Sequence, residues 1–288
     1  MMEVDAGVEP PLPDPVRVRA ATFNTKLFFD TVCESGACGP GDFEQVPTTA
    51  AFDARVAEVA TAVSGFGADV VALQELETQA VVDALVLRLG NSTPYAVLGE
   101  IGSAGSVDVA VFSRTPIEKV VKHRDLVLYR PDGSRTSFSR ELLEVHTTVE
   151  GKRVIIFSAH FRSKSNDDPG RRLAEARATR VILGDVATAN PDALVVLGGD
   201  LNDTPGSEPI TALDSDGVLV RAAADLPVAD QSTYIFGGRG EAIDHLFHAL
   251  TPKTALVPRS ARTWKTGSRG FAGSDHFALS AEFEFEPE

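Results

Sequence analysis

Along this 288-residue chain, five short clusters set Asn, Asp, Glu or His directly after apolar, strand-like sequence. They are Phe23-Asn24-Thr25-Lys26, Leu73-Gln74-Glu75, Ser158-Ala159-His160-Phe161, Gly199-Asp200-Leu201-Asn202 and Gly273-Ser274-Asp275-His276; Ala242-Ile243-Asp244-His245 is a sixth. Hard divalent cations prefer carboxylate and amide oxygen, so Glu75, Asp275 and Asp200 suit Mg²⁺, Mn²⁺ or Ca²⁺. Histidines beside carboxylates are groups that move protons near neutral pH. Taken alone, Gly199-Asp200-Leu201-Asn202 also reads as an Asx-type turn closing a strand. Its recurrence along the chain is what points to chemistry.

Strands must carry those clusters. Residues 193–197 are a short β-branched run stopped by Gly198 and Gly199, and 17–23, 69–75 and 153–158 read as strands of the same kind. Phe52, Val56, Val59, Ala60 and Val63 fall at helical spacing and predict a helix over 49–64, with Gly65 and Gly67 as stops. Further helices are expected over 78–89 and 169–189, the latter with Pro169 near its start. Between 95 and 161 the pattern is of short strands, at 95–98, 107–113, 126–129, 141–149 and 153–158, with a turn at Pro131-Asp132-Gly133. Strands are also expected at 210–213, 242–247 and 254–257. The closing strand alternates, with Phe277, Leu279, Ala281, Phe283 and Phe285 on one face and Ser280, Glu282, Glu284 and Glu286 on the other. Many strands with helices in two separated places predict two sheets packed face to face, helices outside.

The composition, 43% hydrophobic and 24% charged, allows a sizeable core. We expect a disordered, acidic and Pro-rich segment over 1–15 and a single domain over 16–288. The net charge of -14 argues against a protein that coats duplex nucleic acid, which should be basic. It leaves open an enzyme that meets phosphate through metal ions. Cys33 and Cys38 are too few for a zinc site and read as a small loop-stapling disulfide, the alternative being two free thiols. A disulfide implies an oxidising compartment, secreted or periplasmic, with residues 1–15, which lack the apolar core of a signal peptide, read as the remnant beside a trimmed leader; the cytoplasm is the alternative. No transmembrane span is apparent. No protein partner is evident, and the chain is expected to act as a monomer.

In this order, the clusters resemble the endonuclease/exonuclease/phosphatase superfamily of metal-dependent phosphoesterases, over 17–285. The resemblance implies a four-layer α/β/β/α sandwich of two packed mixed β-sheets flanked by helices, in agreement with the strand and helix pattern. It implies that Glu75 is the principal metal-binding glutamate and that Asn24 supports metal and phosphate. Asp275 and His276 resemble the closing metal and catalytic pair, and Asp244 the aspartate that orients that histidine. Asp200 and Asn202 resemble the pair that orients the attacking water and holds the scissile phosphate; His160 matches the other family histidine. Lys26 stands where repair-type members carry an aspartate. A basic residue there is more similar to pancreatic-type deoxyribonucleases and implies a phosphate contact. Tyr95-Ala96-Val97-Leu98-Gly99-Glu100 resembles the segment supplying a glutamate partner to the first histidine, and Phe138-Ser139-Arg140-Glu141 the segment supplying a phosphate-gripping arginine.

The implied chemistry is phosphodiester hydrolysis by in-line attack of an activated water, with a cation, Lys26, Arg140 and Asn202 against the phosphate oxygens. The base is either the His276/Asp244 pair or Asp200, and His160 with Glu100 is expected to protonate the leaving oxygen. Mg²⁺ is the expected cofactor, Mn²⁺ and Ca²⁺ being alternatives. His123, His146, His245 and His248 are read as structural. Nucleic acid is the expected substrate for two reasons. Lys253, Arg259, Arg262, Lys265 and Arg269 surround Trp264 in a stretch without acids. In addition, His160-Phe161-Arg162-Ser163-Lys164-Ser165-Asn166 resembles the post-histidine segment of bacterial extracellular nucleases. A phosphoesterase on a phospholipid head group or inositol phosphate, and a catalytically dead binding module, are the alternatives.

Overall fold

The computed structural model describes residues 14–267 and 270–287. Residues 1–13 of the acidic N-terminal segment, Arg269 of the basic stretch and Glu288 lie outside them. The first half of the chain forms β1 (Arg17–Phe28), α1 (Thr49–Phe66), β2 (Val70–Leu76), α2 (Gln79–Leu89), β3 (Tyr95–Gly99), β4 (Asp108–Ser113), β5 (Ile117–Lys122), β6 (Leu128–Tyr129), β7 (Arg135–Thr136) and β8 (Leu143–Val149). The second half forms β9 (Lys152–His160), α3 (Pro169–Ala189), β10 (Leu194–Asp200), α4 (Glu208–Asp214), β11 (Leu219–Arg221), β12 (Tyr234–Phe236), β13 (Arg239–Glu241), β14 (Asp244–Ala249), β15 (Thr254–Leu256), β16 (Arg262–Trp264) and β17 (Ala278–Phe285).

The strands make two large mixed sheets. One runs β15-β17-β1-β2-β4-β3, with β16 also on β17; the other runs β11-β14-β10-β9-β8-β5. Near the middle of each lies a parallel pair, β1 with β2 and β10 with β9. Three apolar clusters then define four layers. Val18, Ala72, Val109, Val145, Ile156, Val196, Leu246 and Phe283 fill the space between the sheets. Val59, Val63, Phe66, Val82 and Leu85 of α1 and α2 cover the first sheet through Phe23, Val71 and Leu73. Ala176, Leu183 and Ile210 of α3 and α4 cover the second through Phe157, Val195 and Leu197. This is the expected α/β/β/α sandwich.

Local chemistry sets the helix ends. Thr48 caps α1 through Ala51 N at 3.2 Å, and Gly67 closes it in a left-handed conformation with φ 58°. The expected strand at 210–213 is instead part of α4. Ser207 accepts from Ile210 N and Pro209 sits in the first turn, so start signals outweigh an apolar run too short to show a period. The first strand also runs past Asn24 to Phe28, with a register shift in between.

His123 and His146 are structural, as expected, and share one acid. Glu144 of β8 is buried and meets His123 Nε2 at 2.8 Å and His146 Nε2 at 2.5 Å. Burial alone would raise its pKa, yet the two imidazoles bring it down from 4.5 to about 2. A carboxyl depressed in the fold stabilises above its ordinary range, and that contribution is lost as pH falls towards about 2. Glu144→Gln should therefore lower the unfolding free energy by about 3 kcal/mol at pH 6. Denaturant titrations of both proteins should show the gap closing below pH 4.5. At Gly199 of β10, an added Cβ would overlap the carbonyl oxygen of Ala159 on β9. Gly199→Ala should destabilise by at least about 2 kcal/mol, read as a lower melting temperature.

Candidate active site

The two parallel pairs end at the same edge of the sandwich. In the first sheet Asn24 of β1 pairs with Gln74 of β2; in the second, His160 of β9 pairs with Asp200 of β10. Asp244 begins β14 opposite Asp200, and Asp275 and His276 lie just before β17. Polar residues at the carboxyl ends of parallel strands thus face one another across the sheets. Gln74 ties those ends together, receiving from Thr22 Oγ1 and donating to Ser158 Oγ of the other sheet, both at 3.3 Å.

Glu75 owes its direction to a bulge. Gln74 and Leu76 pair with Val109 and Asp108 of β4, so Glu75 is the extra residue, and its φ is 66°. A bulge re-aims one side chain without disturbing the alternation on either side. Lys26 and Leu27, with φ 56° and 42°, loop out opposite it on β1, and Leu27 N donates to Glu75 Oε2 at 2.7 Å. Asn202, with φ 54°, closes an Asx turn on Asp200 Oδ1 at 2.9 Å and donates through Nδ2 to Phe161 O. Left-handed backbone at four non-glycine positions around one site is strain that the surrounding structure holds in place.

Asn24 joins the two sheets' acids. Its Nδ2 donates to Glu75 Oε1 at 3.0 Å and to Asp200 Oδ2 at 2.9 Å, while its oxygen accepts Lys26 N. Expected as a metal ligand, Asn24 is here turned with its amide nitrogen towards the carboxylates, because its oxygen is occupied by backbone. Asp200 Oδ2 also lies 3.6 Å from His160 Nε2 and 3.9 Å from His276 Nε2. Burial and the neighbouring Asp244 charge raise Asp200 to about 7. Burial opposes charge on His276, but the 2.9 Å bond from Nδ1 to Asp244, with Asp200 and Asp275 nearby, outweighs it and lifts His276 to about 10. His160 goes the other way: burial, then the charges of Arg140 and His276, hold it well below the usual imidazole range. The site therefore presents one imidazolium and one neutral imidazole.

These side chains floor a cleft of about 800 Å³, whose walls include Lys26, Arg140, Arg162, Lys164 and Tyr234. Tyr234 carried no signal in the sequence; it pairs by a β-bridge with His276, and the ring centroids are 4.9 Å apart. Ser274 was likewise missed as a tie, bonding Asn24 O at 2.8 Å and receiving His276 N. The expected pairing of Glu100 with His160 is not formed. Glu100 is exposed just beyond β3, and His160 Nδ1 is buried without a partner. Among the described residues, the basic stretch after Pro252 does not line the cleft either. Trp264 packs on Phe66 and donates to Ser280, Arg262 lies over the Trp264 ring, and Lys265 over Phe277. Aromatic packing uses Arg262, Trp264 and Lys265, and Lys253 pairs with Glu286.

Ligand atoms of Glu75, His160 and Asp200 all lie within 4.8 Å of one another. Two of the three are carboxylates, and among the described residues neither pairs with Lys or Arg. That donor set, open to a cleft on one side, fits a hard divalent cation. Asp275 stands apart from this group, its Oδ2 held by Lys26 Nζ at 2.7 Å.

Four layers with carboxylates, an amide and two imidazoles converging over one cleft define a hydrolase of phosphoester bonds. Residues 21–276 match the Endonuclease/Exonuclease/phosphatase family, and the chain belongs to it. No curated protein matches the chain. Among solved structures, TDP2 from C. elegans is 19% identical with a TM-score of 0.65, covering 94% of this chain and 75% of that one. The endonuclease/exonuclease/phosphatase from Bacteroides vulgatus is 17% identical with a TM-score of 0.66, covering 94% and 100%. The human Nocturnin catalytic domain, solved with a sulfate anion, is 16% identical with a TM-score of 0.65, covering 95% and 97%. At these identities the likeness is one of fold.

Asp244→Asn should leave the hydrogen-bonding shape but remove the charge that keeps His276 protonated. Turnover of bis-p-nitrophenyl phosphate should fall at least about a hundredfold, and an NMR titration should find the His276 pKa lowered.

Proposed function

We propose that this chain is a divalent-metal-dependent nuclease that hydrolyses phosphodiester bonds of DNA or RNA by in-line attack of water. Arg140 carries this reading. It is half-buried in the cleft wall and, among the described residues, makes no hydrogen bond or ion pair. A guanidinium left free beside His160 awaits an anion, and phosphate matches its fork.

The cation, bound by Glu75 with His160 and Asp200 beside it, would supply positive charge against the phosphate oxygens. Asp200, near neutral in pKa and central to the cluster, accepts the proton of the attacking water. His276, already protonated, cannot serve as that base; its Nε2–H faces the phosphate and gives a proton to the leaving oxygen. Asp244 fixes its ring through Nδ1. Neutral His160 and the amide of Asn202 contribute polarity without competing for the proton. Lys26, held by Asp275, adds a second positive group.

Two observations favour nucleic acid over a smaller ester. The cleft is walled by segments from β1 to the loop before β17, with Arg162 and Lys164 extending its basic side. A structure of the same fold, TDP2 of D. rerio, was solved with a single strand DNA product, at 16% identity and a TM-score of 0.64 over 93% of this chain and 98% of that one. The Cys33–Cys38 disulfide, with Cα atoms 6.0 Å apart, favours a secreted or periplasmic setting. Among the described residues no helix is long and apolar enough to cross a membrane.

Supercoiled plasmid should be nicked in Mg²⁺ or Mn²⁺ and left intact in EDTA. Glu75→Ala and His160→Ala should each lower turnover more than about a thousandfold with an unchanged melting temperature. Arg140→Ala should lower kcat/KM about a hundredfold. Hydrolysis of a phosphomonoester alone would contradict the nuclease reading.

A further inference from the structure

Large apolar side chains rarely stand in water at the rim of a charged cleft, yet two phenylalanines do so here. Phe43, from the segment between β1 and α1, is 59% exposed; Phe236, at the end of β12, is 66% exposed. Both line the cleft that holds His160, Asp200 and His276. The Phe43 ring meets Phe29 edge-on at 5.7 Å, and Phe236 leads into Gly237-Gly238, whose φ of 55° and 81° turn the β12–β13 hairpin. Tyr234 and Phe236 lie two apart on β12 and so share one face. The inner ring of that pair leans on His276, and the outer one stands free.

We propose that Phe43 and Phe236 are base-stacking platforms through which the cleft selects single-stranded nucleic acid over duplex. The proposal rests on the nuclease reading above and names its substrate class. Bases in a duplex cover one another's faces, whereas an unpaired base offers its face to an aromatic ring. The charge balance points the same way. The chain carries a net -14, Lys26 is held by Asp275, and Lys164 is held by Asp203 at 3.2 Å. Among the cleft's basic groups, Arg140 and Arg162 have no carboxylate partner among the described residues. Two guanidiniums without carboxylate partners, one of them donating to Asn166 O, make few phosphate contacts, too few to hold a duplex by electrostatics alone. Stacking supplies what charge does not.

The test compares three substrates of one length: a single-stranded oligonucleotide, the same sequence as a blunt duplex, and a single strand whose central nucleotides carry tetrahydrofuran in place of the base. The wild-type enzyme should cleave the base-bearing strand about tenfold faster, in kcat/KM, than either of the others. In Phe43→Ala/Phe236→Ala that advantage over the base-free strand should shrink towards one. Phe43→Leu keeps the apolar contact with Phe29 but removes the aromatic face, and should lose part of the advantage with an unchanged melting temperature. An undiminished advantage in the double variant, or duplex cleaved as fast as single strand by the wild type, overturns the proposal while leaving the nuclease reading intact. Turnover of bis-p-nitrophenyl phosphate with no cleavage of any oligonucleotide overturns both.

Discussion

A buried carboxylate beside a second one is the arrangement that everything else at this edge has to accommodate. Asp200 and Asp244 face each other across β10 and β14, both out of water and neither paired with Lys or Arg among the described residues. Such charges cost several kcal/mol each unless hydrogen bonds and opposite charge replace the lost water. Here His276 supplies the opposite charge through Asp244, and Asn24 and the Asn202 amide supply donors to Asp200. The same contacts explain why the imidazoles differ. Around His276 the accumulated negative charge outweighs burial, whereas burial, reinforced by the charges of Arg140 and His276, keeps His160 neutral. A carboxyl raised to near neutrality, a protonated imidazole and a neutral one follow from burial together with an uneven distribution of charge.

That distribution depends on how the strands end. Parallel pairs in opposing sheets terminate together, so four carboxyl ends deliver side chains into a common space. Regular alternation would put Glu75 on the wrong side of its strand; the bulge at that position turns it into the cleft, and the looped Lys26-Leu27 opposite supplies the backbone donor that holds it. Gln74, between the sheets, and Ser274, between β1 and the last loop, fix the spacing. The geometry of this site is a property of strand termini and the irregularities built into them.

Farther out, the cleft is walled by segments that the sandwich does not require. The loop stapled by Cys33–Cys38 lies close in sequence to Phe43, and Glu44 beside it accepts Glu34 N and Ser35 N at 2.6 and 2.7 Å, so a long connection is ordered locally. The β12–β13 hairpin does the same for Phe236. In the proposed reading, substrate choice falls to such peripheral segments, since a floor of this kind serves chemistry of many kinds.

Several features were legible in the sequence. Apolar periods showed α1, α3 and the alternating β17, and an Asn, Asp, Glu or His after each apolar run marked Asn24, Glu75, His160, Asp200 and His276. Strand and helix periods are local, and a polar residue ending a buried strand has few places to go. Local pattern was silent or misleading where the outcome depended on distant neighbours. Glu100 has the right type of side chain but ends exposed beyond β3, and the residues around Trp264 pack on Phe66 and Phe277 instead of facing the cleft. The four-residue run in α4 is too short to reveal a period, so its cap decided. The chain's residue types determined which groups could bind a cation and move protons. Tertiary structure alone decided which imidazole carries the charge, because a pKa depends on burial and on neighbours that the sequence places up to a few hundred residues apart.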